Sequence, residues 1–154
     1  MTARMTSTSG PRSMDAGLLI LRLGAGLPLA LIFGLPKLQA AALYLHTGQW
    51  AFVDFNRKVG LPAPVVAAFL QTLNESIGAL LVACGFLTRY AAASLALGFA
   101  VATFCSLRVG EPTWLTAAYF CINFLALSLT GGGRFAIDSL LQSRSARRLE
   151  VSTN

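Results

Sequence analysis

Glu75 lies in the run "VVAAFLQTLNESIGALLVACGFLT", Val65 to Thr88, with Gln71 four residues before it and Asn74 beside it. A carboxyl group in the middle of so apolar a stretch costs several kcal/mol if that stretch lies in lipid, unless it is paired, hydrated or neutralised. It must therefore face other helices. Two kinds of chemistry suit it there: proton transfer, or a polar contact to a quinone or another small ligand. The alternative is purely architectural, with Glu75 holding helices together through Arg22, Asn74, Gln71 or Asn123, and the residues alone leave both readings open. Arg22 sits inside a second apolar run, "GLLILRLGAGLPLALIFGL". Its guanidinium is expected to communicate with Glu75, either directly or through an amide or water, and snorkelling to the headgroups is the competing arrangement. Arg22, Gln71, Asn74, Glu75 and Asn123 thus form the candidate intramembrane polar site.

A second constellation closes the last apolar run. In "LSLTGGGRFAIDSLL" the residues Gly131, Gly132 and Gly133 are followed by Arg134 and Asp138. A phosphate cradle needs its glycines before a helix, usually after a strand, with a lysine and a hydroxyl following. Here they follow a helix, so they are expected to stop it, since glycine accepts the backbone conformations that end helices. The chain should then turn back as a short interfacial helix in which Arg134 and Asp138 pair at four-residue spacing. Cys84, Cys105 and Cys121 fall at different depths and form no paired motif, so buried free thiols are expected. With His46 as the sole histidine and no metal-ligand spacing, no metal site and no haem site is expected.

The elements that must position these residues follow from composition. The 154 residues are 55% hydrophobic and 12% charged, with a mean hydropathy of +0.65. A soluble domain carries about twice that share of charge. Four apolar runs stand out, at about Gly17–Leu35, Val65–Thr88, Tyr90–Leu107 and Trp114–Thr130, and runs of about eighteen residues fit the roughly 30 Å hydrocarbon core of a bilayer. The expected fold is all-α, a four-transmembrane-helix bundle in the cell inner membrane. The first run should close on Pro36 and Lys37. A charged start, an apolar stretch and Ala40, Ala41 and Ala42 also suit a cleaved signal peptide, but the stretch is long and contains Arg22, so it is read as a retained span.

An even number of spans puts Arg4, Arg12, Arg89, Arg134, Arg144, Arg147 and Arg148 on one side and Lys37, Arg57, Lys58 and Arg108 on the other. Basic residues are retained in the cytoplasm, so both termini are expected there. The net charge of +6 is then a topology signal with affinity for anionic headgroups, not a nucleic-acid face. Residues 1–13 are read as a disordered lead, 14–141 as the membrane domain and 142–154 as a cytoplasmic basic tail. The long connection from Pro36 to Pro64 is read as an interfacial amphipathic segment or a surface loop, with Trp50 and Trp114 as membrane-belt residues.

Small residues let membrane helices approach closely. Arg22, Gly26, Ala30 and Gly34 recur every four residues, as do Ser94, Gly98, Ala102 and Ser106. Gln71, Glu75, Gly78, Val82 and Gly85 form a third inward face, and Tyr119, Asn123, Ala126 and Thr130 a fourth.

Four stretches together resemble the DoxX family of small bacterial membrane proteins: "LLILRLGAGLPLALIFGLPKL", "VGLPAP", "LNESIGALLVACGFLTRYAA" and "LTGGGRFAID". Their order and spacing, over about residues 17 to 140, carry the likeness. The resemblance implies a membrane subunit or accessory of a redox pathway linked to quinone, sulfur oxidation or oxidative stress, with protein partners in a membrane redox complex. It draws attention to Arg22, Glu75, Arg89 and Asp138 but brings no established catalytic set, and the chain carries no flavin, nicotinamide, haem or iron–sulfur motif. Whether it is an enzyme is left open. The rival readings are a non-catalytic assembly or trafficking factor and a small-molecule carrier.

Overall fold

The computed structural model describes residues 12–141, and every regular element among them is helical. Residues 1–11 of the expected 1–13 lead and the basic tail over 142–154 lie outside the described residues. The first helix already includes Arg12 and Ser13. Five helices follow in order: α1 (Arg12–Thr47), α2 (Ala51–Lys58), α3 (Pro64–Cys84), α4 (Thr88–Val109) and α5 (Trp114–Thr130). Helices α1, α3 and α4 are long and apolar enough to cross a membrane, and α5 is a shorter apolar helix of 17 residues.

The first span does not close on Pro36. Helix α1 runs on to Thr47, 36 residues in all, or about 54 Å at 1.5 Å per residue. Proline lacks a backbone donor, and Pro28 and Pro36 each remove one from the helix. Between them the helix widens into a π turn, Leu29–Gly34, in which the Leu35 N–H donates to the Ala30 carbonyl five residues back. Local π adjustment of this kind is how apolar helices absorb proline without breaking. The added turns have something to pack on: Ala41, Trp50, Val53 and Ala68 are buried together with Tyr44 and Phe69 against them. Trp50 is therefore a core residue, 5.2 Å from Phe69 between ring centroids, and not a belt residue. The Pro36–Pro64 connection is correspondingly helical for most of its length. Helix α2 is amphipathic, burying Val53 and Asn56 and exposing Asp54, Arg57 and Lys58.

Two of the expected small-residue faces close the bundle. A Cβ on Gly26 would lie 2.8 Å from the Ala79 carbonyl oxygen, and one on Gly34 would lie 2.8 Å from the Ser76 Cα. Helices α1 and α3 thus meet backbone to backbone. On α4, Ser94 Oγ donates to Asn74 Oδ1 at 3.1 Å, and the bare Cα of Gly98 leaves room for the Gln71 side chain of α3.

The face expected on α5 is corrected. Ala117, Phe120, Phe124 and Leu127 point inward, while Tyr119, Ala126 and Thr130 are exposed. Phe120 and Phe124 stack on Phe99 of α4 at 5.1 and 6.1 Å. Aromatic area outweighs a polar stripe here because Asn123 and Thr130 satisfy themselves on the carbonyls of Tyr119 and Ala126 four residues back.

Helices α3 and α4 form the expected hairpin, with Gly85 at φ 76° ending the first. After α5, Gly131 at φ 80° ends that helix and the chain turns into a short helical segment over residues 137–141. The Arg134 N–H donates to Asp15 Oδ1 at 2.9 Å, so the start of α1 and the chain after α5 meet at one end of the bundle.

Candidate functional site

Helix α3 also contains a π turn, Asn74–Gly78, in which the Ala79 N–H reaches the Asn74 carbonyl. It packs directly on the π turn of α1: a Cβ on Gly34 would lie 2.9 Å from the Glu75 carbonyl oxygen. Single π turns inside α-helices occur frequently at functional sites. The Glu75 carboxylate emerges at this crossing with both oxygens engaged. Oε2 accepts from Lys37 Nζ at 2.6 Å and Oε1 from Gln71 Nε2 at 2.9 Å. The Glu75 side chain is 4% exposed and that of Lys37 28%. Lys37 Nζ also lies 4.3 Å from the centroid of the Phe52 ring, close enough for a cation–π contact.

This polar group opens on a cavity of about 430 Å³ walled by Leu29, Phe33, Phe55, Phe99 and Phe120. A second cavity of about 420 Å³, lined by Asn74, Ser94, Leu97 and Cys105, lies against the other side of Gln71 and Ala102. Phe52 and Phe55 of α2 border both. Helix α2 is tied to the turn between α4 and α5 by Lys58 Nζ to Glu111 Oε1 at 3.0 Å.

Of the five residues expected to share a polar site, the structure joins Gln71 to Glu75 directly and keeps Asn74 one helix face away, hydrogen-bonded to Ser94 of α4. Asn123 does not join, because its amide is spent on the Tyr119 carbonyl. Arg22 does not meet Glu75 either: Lys37 takes the carboxylate, and Arg22 reaches the other end of the bundle, beside Gly85 and Gly132. Sequence reasoning misses Lys37 because it reads Pro36 as a boundary. It lies one turn beyond Gly34, and carrying the helix through the proline would have placed it on the face that meets α3.

The second constellation gathers at the end that holds Asp15. Asp138 Oδ1 accepts from the Leu87 N–H at 2.8 Å, and Oδ2 accepts from the Thr88 N–H at 2.9 Å and the Thr88 hydroxyl at 3.0 Å. Asp138 therefore caps the start of α4 from fifty residues away, and the expected Arg134–Asp138 pair does not form because its acceptor is already committed. Burial alone would raise the Asp138 pKa. The Thr88 and Leu87 amides, the Thr88 hydroxyl and the charge of Arg22 outweigh that and hold it below its ordinary 3.8. Arg89, Gly131, Gly132, Gly133 and Asp138 line a cavity of about 560 Å³ at this end. Among the described residues no group of three or more His, Cys, Asp or Glu side chains is placed to hold a metal ion.

Apolar helices of membrane-spanning length, packed through small residues and enclosing a buried ion pair, define a multi-pass α-helical membrane protein. The chain belongs to the DoxX family, which matches residues 17–108, from α1 through nearly all of α4. Helix α5 and the glycine run after it lie beyond that match. No curated protein matches the chain, and no solved structure does.

Proposed function

We propose that the protein is a four-span component of the cell inner membrane, with both termini cytoplasmic, that binds a quinone-class ligand and serves as a membrane subunit or accessory of a redox pathway. The observation that carries this reading is the Lys37–Glu75–Gln71 group at the wall of an aromatic cavity of about 430 Å³. A quinone is a flat, apolar ring with carbonyl acceptors at its edge. Phe99, Phe120 and Phe33 offer faces and edges to such a ring. Lys37 and Gln71 are donors for a carbonyl oxygen, and Glu75 is positioned to exchange a proton with a quinol hydroxyl. The electrons would pass to or from a protein partner, since the chain carries no motif for a tightly held redox group.

The test is purification from native membranes followed by solvent extraction and identification of bound lipid-soluble compounds, with titration of a short-chain quinone monitored by Trp50 fluorescence. Trp50 lies 5.9 Å from the cavity residue Phe52 between ring centroids, near enough to sense the occupant. Saturable quenching that Glu75→Gln and Phe120→Ala weaken supports quinone binding. A preparation that contains no quinone, does not respond to added quinone and retains a stable non-redox client supports the assembly-factor alternative. Retention of a different small molecule supports a carrier.

A further inference from the structure

Arg22 is fully buried, and its Nε, Nη1 and Nη2 hydrogen-bond to nothing among the described residues. A guanidinium carries five N–H donors, and an unmatched buried charge is among the costliest features a fold can hold. Its neighbours explain how it fits but not what satisfies it. Nη1 occupies the space that a Cβ on Gly85 would need, and lies 3.5 Å from where a Cβ on Gly132 would stand. The facing carboxylate is Asp138, whose two oxygens are already engaged by Leu87 and Thr88 at the start of α4.

A second arginine approaches the same glycine run. Arg89 Nε would lie 3.1 Å from a Cβ on Gly131, and Arg89 makes no ion pair among the described residues. The amides of Gly132 and Gly133 also donate to no described group. Gly131, Gly132 and Gly133 wall the cavity of about 560 Å³, together with Arg89, Thr130 and Ser139. Only a glycine fits at 132: a Cβ there would lie 2.5 Å from the Ala136 Cβ and 2.8 Å from the Thr88 hydroxyl. Its bare Cα is what separates Arg22 from the cavity. Arg22 and Arg89 face Asp138 and, against Gly133, Asp15, so what distinguishes the pocket is not net charge but donors without acceptors, on Arg22 and on the Gly132 and Gly133 amides.

We propose that this cavity binds a phosphate oxyanion, held on Arg89 and the Gly132 and Gly133 amides, with the Arg22 guanidinium behind Gly132 supplying charge from outside the lining. Phosphate suits the site better than a carboxylate because its tetrahedral oxygens can meet donors arriving from several directions. The cavity is large enough for a glycerophosphate headgroup, and it lies where the apolar helices end. An anionic phospholipid and soluble phosphate share the recognised group. The site is independent of the quinone reading, being built from different residues at the far end of the bundle.

The test uses the full chain in detergent micelles and follows thermal unfolding while phosphatidylglycerol, a neutral galactolipid lacking phosphate, or inorganic phosphate is added. The expected result is a saturable stabilisation by phosphatidylglycerol or by inorganic phosphate, absent with the galactolipid; whichever saturates at the lower concentration identifies the source. Arg89→Gln removes one charge-assisted contact and should weaken the half-saturating concentration about tenfold. Arg22→Lys keeps the charge behind Gly132 and should bind much as the parent does, whereas Arg22→Gln removes that charge and should weaken binding. Arg89 is exposed, so its replacement leaves the fold intact even if changes at Arg22 do not. Equal stabilisation by the galactolipid, no stabilisation by either phosphate source, or a response unchanged in Arg89→Gln would overturn the proposal.

Discussion

Removing Lys37 should cost more than removing the carboxylate it pairs with. At 2.6 Å two unit charges attract by about 6 kcal/mol if the effective dielectric is about 20, and desolvation of the buried partner is set against that. What remains after one partner is deleted depends on how well the other can reach water. Glu75, 4% exposed, cannot. Stripping one partner from a buried pair typically costs about 3–5 kcal/mol, and the partial exposure of Lys37 puts Lys37→Met at the lower end, about 3 kcal/mol. In Glu75→Gln the remaining lysine, 28% exposed and lying over Phe52, can turn toward solvent, and the new amide can still bond Gln71. That variant should lose about 1 kcal/mol. The double variant leaves no orphaned charge, so it should resemble Glu75→Gln alone, with a coupling of about 2–3 kcal/mol. Reversible unfolding in mixed micelles, followed by far-ultraviolet circular dichroism, measures all three. Losses that add to within about 0.5 kcal/mol, or Glu75→Gln proving the worse single change, would refute the argument.

The separation of the two polar centres predicts that Arg22→Gln and Glu75→Gln have additive effects on the same unfolding measurement. Gly98→Leu should destabilise more than Leu97→Ala, since any side chain at 98 meets the Gln71 amide while Leu97 is exposed; detergent melting curves compare them. Because the Asp138 pKa is depressed on folding, its contribution is complete above the unfolded value near 3.8 and is lost as pH falls through the lower folded value. Asp138→Asn should therefore be less stable than the parent at neutral pH, by about 1 kcal/mol for a lost helix cap, with the gap shrinking as pH falls from about 3.8 through the lower folded value. For topology, a C-terminal alkaline phosphatase fusion should be inactive and a C-terminal fluorescent fusion bright; strong phosphatase activity would reverse the assigned orientation.

Hydropathy made the order of the apolar helices legible, and the 114–130 run emerges as α5 with the bounds its composition suggests. That Gly26 and Gly34 share a close-packing face is readable too, because spacing alone reports which small residues share a face; that α3 is the helix they meet is not. The end of α1 was not. A proline is a strong local stop signal, and the π turn that absorbs it depends on tertiary packing and has no compositional mark. The partner of Glu75 was hidden for the same reason. Counting residues fixes depth along a helix but not which of several cations arrives, and reading Pro36 as an end puts Lys37 at a polar boundary that the helix runs through. The face of α5 was misread because a polar side chain that bonds its own helix carries no information about its neighbours.

A π turn holds one residue more than the α-helical lattice around it, which makes it a dislocation in the crystallographer's sense. Dislocations glide: exchanging a few hydrogen bonds moves the surplus residue along the helix and shifts only the stretch it crosses, by about 1.5 Å, without unfolding it. Here two of them lie face to face, in Leu29–Gly34 and Asn74–Gly78, with Glu75 at the plane where they touch. The carboxylate thus stands where two such defects touch, so a glide of either would move one partner of the Lys37–Glu75 pair against the other while leaving the length of each helix unchanged.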